Sequence, residues 1–170
     1  MKRLFKKVAL GGTFDSFHIG HEKLLDSAFS IADKVLIGVT SDSFAKQLRK
    51  IHEIASFKER VNYVKEYLTK KWPNRNYEIV KLEDPYGPTI TDMELEALVV
   101  SEETVNGGIR INELRCKNNL PPITILVVDM VLAEDGLPIS STRIRQGLSL
   151  IHISEPTRPL YISYAVFCLK

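Results

Sequence analysis

The sequence predicts an α/β domain built on a parallel sheet. Three observations predict it. Apolar runs alternate with helical patterns along the chain, which is the rhythm of strand–helix–strand units. The first apolar run passes through Gly11-Gly12 into an amphipathic stretch, so a strand, a glycine turn and a helix start follow one another directly. A chain of 170 residues with 44% hydrophobic content suits one compact core.

The elements follow in order. Strand-like runs are Leu4–Leu10, Val35–Thr40, Tyr77–Leu82, Ala97–Val100 and Ile123–Val128, which predicts a five-stranded parallel sheet. The first helix starts near Gly20, with Leu24, Leu25, Ala28, Phe29 and Ala32 on one stripe. Ser56-Phe57-Lys58-Glu59 is a capping box that opens a second helix. Phe57, Val61, Val64, Leu68 and Trp72 recur along it at helical spacing, and Pro73-Asn74 stops it. Asp84-Pro85-Tyr86-Gly87-Pro88 forms a rigid loop after the third strand. A shorter helix follows Asn106-Gly107-Gly108 and ends at Asn118-Asn119.

Composition narrows the classes of function. Lys and Arg number 23 against 21 Asp and Glu, a formal charge of +2, so no chain-wide basic field argues for a nucleic-acid partner. The longest apolar stretch, Leu160 to Leu169, is about half a membrane span, so no membrane partner is expected. Cys116 and Cys168 lie far apart without metal-ligand spacing, which fits reduced thiols. No secretory signal pattern opens the chain, and a cytoplasmic location is expected. Oligomeric state has no signature in the sequence.

The chemistry concentrates in Gly11-Gly12-Thr13-Phe14-Asp15-Ser16-Phe17-His18-Ile19-Gly20-His21. A strand–turn–helix junction holds anions, because free backbone N–H groups and the positive helix end point at the ligand. His21 falls in the first helical turn and His18 just before it, so both imidazoles can face one anion. Gly20 would let backbone and phosphate approach closely. A zinc site would need further ligands at suitable spacing, and the sequence offers none. A second stretch, Ile139-Ser140-Ser141-Thr142-Arg143-Ile144-Arg145, places hydroxyl side chains at a helix start with a bidentate cation one turn on.

Thr13 through His18-Ile19-Gly20-His21 resembles the T-x-x-x-x-H-x-G-H signature of the nucleotidylyltransferase superfamily, and Ile139–Arg145 resembles its I-S-S-T-x-x-R signature. Asp84–Thr89, Val99–Thr104 and Arg110–Arg115 are similar to loops of the archaeal-type pantetheine-phosphate adenylyltransferases. Glu102 departs from the small residue or proline found there in relatives. The resemblance spans roughly residues 3 to 147 and implies a Rossmann-like fold. It further implies transfer of AMP from ATP to 4'-phosphopantetheine, giving dephospho-coenzyme A and pyrophosphate, with Mg²⁺ accompanying ATP and no metal held by a protein cage. The implied catalytic residues are His18, His21, Lys46 and Arg145, with Arg49 and Lys50 as competitors for the role of Lys46. Gly12, Thr13, Phe14, His21, Ser140, Ser141, Thr142 and Arg145 would bind ATP; Thr13, Lys46 and Tyr86 would bind the acceptor. The alternatives are another superfamily transferase, with nicotinamide mononucleotide, FMN or glycerol phosphate as acceptor, or a non-catalytic nucleotide sensor.

The domain is expected over residues 1–148. Residues 149–170 behave differently: they carry two prolines, break the preceding helix and end in an apolar run. This tail resembles the translated read-through of sequencing-adapter DNA and is expected to be foreign to the natural protein. The alternative is a genuine C-terminal strand packed on the sheet.

Overall fold

The computed structural model describes residues 3–48 and 53–129, and the backbone of residues 162–164. The order is β1 (Phe5–Gly12), α1 (Ile19–Ile31), β2 (Ala32–Thr40), α2 (Asp42–Leu48), α3 (Phe57–Lys71), β3 (Asn76–Leu82), a 3-10 turn (Gly87–Ile90), β4 (Ala97–Ser101), α4 (Val105–Lys117), β5 (Thr124–Val128) and β6 (Ile162–Tyr164). The sheet runs β3-β2-β1-β4-β5-β6. Its first five strands are parallel, as the sequence predicts. The sixth is an addition: Ile162–Tyr164, from the tail, pairs antiparallel with β5 in the register Val127↔Ile162.

Side chains alternate along the strands, so each strand feeds two cores. Val8, Leu10, Val35 and Ile37 pack under Leu25, Ala28 and Phe29 of α1 and under Val61, Val64 and Leu68 of α3. Ala9, Leu36, Leu98 and Val100 face the other way, toward Ile111 of α4. Coverage of both faces explains why the strands are nearly continuous apolar runs.

The helix ends differ from expectation in three places. Ala32, read on the α1 stripe, instead opens β2, because the Arg75 guanidinium donates to the carbonyls of Phe29 (2.8 Å) and Ala32 (2.6 Å) and closes the helix there. α2 had no helical expectation; the Ser41 hydroxyl accepts from the Phe44 N–H (3.1 Å) and caps it. α4 takes in Gly107 and Gly108 rather than following them. A Cβ on Gly108 would meet Ile125 at 3.3 Å and Leu98 at 3.4 Å, so close packing of helix on sheet overrides the low helix propensity of glycine. The capping box at Ser56 is present, and Trp72 ends α3 while its indole N–H donates to Asp26 of α1 (2.7 Å).

Cys116, expected as a reduced thiol, is disulfide-bonded.

Candidate active site

The strand order reverses between β1 and β4, where an open α/β sheet opens a ligand crevice. The register shows how. β1 stays paired with β2 as far as Gly12, but its ladder with β4 stops at Ala9↔Leu98. Beyond that point the two strands part. A cavity of about 610 Å³ lies there, with Leu10, Gly11 and Gly12 on one side and Val99, Val100 and Ser101 on the other.

His18 and His21 line this cavity at the start of α1. His18 is the N-cap, and its Nδ1 accepts from the Gly20 N–H at 3.0 Å. The Nδ1 of His21 accepts from the His18 N–H at 3.1 Å. The pair is thus a capping box made of two imidazoles in place of the usual hydroxyl and carboxylate. Both donors are backbone N–H groups, so both Nδ1 atoms must be unprotonated acceptors. Each neutral ring then carries its proton on Nε2, on the side away from the helix backbone. The rings stack with centroids 3.8 Å apart.

Burial keeps the pair neutral. It pushes His18 down to about 4. For His21 burial acts first and the neighbouring His18 second, and together they push it down to about 3. Phe14 and Phe17 supply much of the apolar surround, with ring centroids 5.2 and 5.4 Å from that of His21.

The backbone N–H groups of the first turn are not the free donors expected. Those of His18 and Gly20 bond the imidazoles, and those of His21 and Glu22 bond the His18 carbonyl. A backbone N–H bonded at Nδ1 polarises each imidazole and strengthens its remaining Nε2–H as a donor. Gly20 also has a different reason to be glycine: a Cβ there would meet the His18 ring at 2.8 Å, so the space is taken by the imidazole.

The other expected residues divide into four groups. Gly12, Thr13 and Tyr86 line the cavity, as do Pro85, Pro88 and Thr89 of the same loop. Asp84 shapes that loop by accepting from the N–H groups of Tyr86 (2.8 Å) and Gly87 (2.7 Å). Phe14 is fully buried behind Gly12, at a positive φ of 56°. Lys46 is exposed on α2 and is not part of the cavity lining. Arg49, Lys50, Ser140, Ser141, Thr142 and Arg145 lie outside the described residues. The departure at Glu102 is exposed, while its neighbours Glu103 and Thr104 reach the cavity.

Two residues behind the site carried no sequence expectation. Asp15 is buried, lines the cavity and accepts from the Ala55 N–H at 3.1 Å. Arg60 is fully buried beneath the Thr13 loop. Its signal was available, since a cation at position 60 sits on the apolar stripe between Phe57 and Val64.

A model of the family described as cytidylyltransferase-like matches residues 9–147. The chain belongs to the cytidylyltransferase-like family. It is 48% identical over 147 residues to a phosphopantetheine adenylyltransferase of Methanothermobacter thermautotrophicus, covering 86% of this chain and 87% of the relative. It is 47% identical to a protein of the same name from Methanopyrus kandleri, covering 83% and 89%. A crystal structure from Archaeoglobus fulgidus, titled as a protein with unknown function, is 42% identical and superposes with a TM-score of 0.67, covering 72% of this chain and 89% of that one.

Proposed function

We infer that this member of the cytidylyltransferase-like family transfers AMP from ATP to 4'-phosphopantetheine, forming dephospho-coenzyme A and pyrophosphate. The observation that carries the reaction is the pair of imidazoles that line the crevice at the strand switch, each accepting a backbone N–H at Nδ1, which leaves Nε2–H as the donor each ring would offer to phosphate. The acceptor is inferred from the names of relatives that match along most of the chain.

The acceptor phosphate is already a nucleophile, so the step needs no covalent enzyme intermediate. An acceptor oxygen forms a bond to the α-phosphorus as the bond to the β-phosphate oxygen breaks, and the electron pair leaves with pyrophosphate. The protein's work is positioning and stabilisation of charge. His18 and His21 would donate to phosphate oxygens without changing protonation state. Lys46 would bridge the substrates, and Ser141, Thr142 and Arg145 would hold the departing pyrophosphate. The donor set of imidazoles, hydroxyl and backbone suits anions, and one oxygen of Asp15 is committed to Ala55. Mg²⁺ therefore fits as a passenger on ATP, held by phosphate oxygens and water, and would neutralise phosphate charge when bound.

Among the described residues no helix is long and apolar enough to cross a membrane. The cytoplasm, where ATP is available, suits the proposed substrates.

Pyrophosphate release with a panel of phosphorylated acceptors tests the reading. Phosphopantetheine should give the highest kcat/KM. Faster turnover of nicotinamide mononucleotide, FMN or glycerol phosphate would replace the acceptor, and acceptor-independent ATP binding without release would make the chain a sensor.

A further inference from the structure

Arg60 stands outside the cavity, yet it joins four segments around it, among them the turn that carries Thr13 and the start of the helix that carries Lys46. Its side chain is 0% exposed. Nε donates to the Ala55 carbonyl at 2.8 Å. Nη1 donates to the Thr13 carbonyl at 2.9 Å, to the Thr40 carbonyl at 2.7 Å and to the Thr40 hydroxyl at 3.2 Å. Nη2 reaches Asp42 Oδ1 at 3.0 Å. One planar fork therefore ties the turn after β1, the end of β2, the start of α2 and the segment leading into α3.

We propose that Arg60 is a positioning residue: it sets the placement of the Thr13 turn relative to α2, and with it the geometry of the phosphate contacts against Lys46. This rests on the adenylyl-transfer reading above. A bond to the Thr13 carbonyl fixes the plane of the Thr13–Phe14 peptide. Because that peptide is trans, the Phe14 N–H lies on the edge opposite Arg60. Phe14 holds a positive φ, so the turn needs such external fixing. Asp42 is the first residue of α2, and Lys46 lies one turn further on. The Ala55 carbonyl held by Arg60 belongs to the residue whose N–H bonds Asp15 in the cavity wall. Lysine cannot replace this arrangement, because a point charge on a flexible stem does not hold four segments in one plane.

The test compares Arg60→Lys with Val64→Ala in the full chain. Val64 is fully buried on the same helix, packs only in the core, and serves as a control for lost stability. Both variants are assayed where melting curves show them folded. Arg60→Lys should lower kcat about 100-fold, the cost of misplacing reacting groups by about an ångström, and raise the Kd for ATP about tenfold. Val64→Ala should leave kcat within about twofold, since it costs packing only. Near-normal kcat in Arg60→Lys, or an equal loss in Val64→Ala, would overturn the proposal. If Arg60→Lys does not fold, Asp42→Asn decides, since its amide oxygen still accepts the Phe57 N–H while the charge that anchors Nη2 is lost: kcat should fall about tenfold, and unchanged kcat would sink the idea. A wild-type protein without adenylyl transfer would refute the function but not the positioning role. ATP titration calorimetry then decides that role. Weaker binding by Arg60→Lys alone supports it, and equal affinity in both variants refutes it.

Discussion

His21 and His18 carry two predictions. If their Nε2–H groups stabilise charge that develops during transfer, His21→Ala should lower kcat by about 10²–10³ while ATP affinity changes less, since one preorganised donor is worth about that much. Near-full kcat in a folded variant would remove His21 from the mechanism. The second prediction concerns protonation. Burial holds the folded-state values near 4 for His18 and near 3 for His21, below the ordinary 6.5. Between these values and 6.5 the unfolded chain binds the protons and the folded chain does not. The contribution of these two groups to stability is therefore constant above about 6.5 and falls as pH drops through this window. Ring proton shifts followed by NMR should show neither histidine titrating between pH 6 and 8. A midpoint near 6.5 would mean the rings are hydrated and the relay from the helix is absent. The sequence showed that both imidazoles sit at a helix start. It did not show their protonation, because the Phe14 and Phe17 rings that dry His21 act through space.

At the scale of the element, the N-terminus of α1 gives a prediction whose sign separates fold from function. Alanine is a better helix former than glycine by up to about 1 kcal/mol, which roughly offsets the loss of the His18 cap, so Gly20→Ala should change the melting temperature little. The new Cβ would nevertheless meet the His18 ring at 2.8 Å and displace it. Turnover should then fall at least about tenfold in a fully folded protein. Unchanged turnover would show that the ring position is unimportant. Legibility differed between elements for physical reasons. The capping box at Ser56 and the stripe of α3 were plain because both signals are local. α2 was missed because seven residues are too few to develop a helical period. Gly107 and Gly108 were placed before α4 because their low propensity is local, while the contact of Gly108 with Ile125 and Leu98 that keeps it in the helix is long-range. The place of Arg60 on the apolar stripe of α3 marks it as buried, but its partners, as far away in sequence as Thr13, are set by the fold.

At the scale of the molecule, the strand order and the cavity at its reversal follow from alternating elements, and the parallel sheet was legible as such. The sixth strand matches the alternative reading of the tail as a C-terminal strand on the sheet rather than the favoured one, since a three-residue pairing in a proline-containing segment carries no period. The reading of residues 149–170 as foreign predicts that a chain of residues 1–148 keeps adenylyl transfer and a cooperative melt. Truncation at 148 uncovers the β5 edge but deletes none of the site residues expected from the sequence. Loss of the cooperative transition on truncation would make the tail a structural part of the domain.

The central claim is that this crevice moves an adenylyl group onto a phosphate. ATP labelled separately at its α- and γ-phosphorus, incubated with Mg²⁺, the full chain and phosphopantetheine, tests it most directly. The α label should appear in the acceptor product and the γ label in pyrophosphate, in equal amounts. A γ label on the acceptor, or release of either label without acceptor, would contradict it.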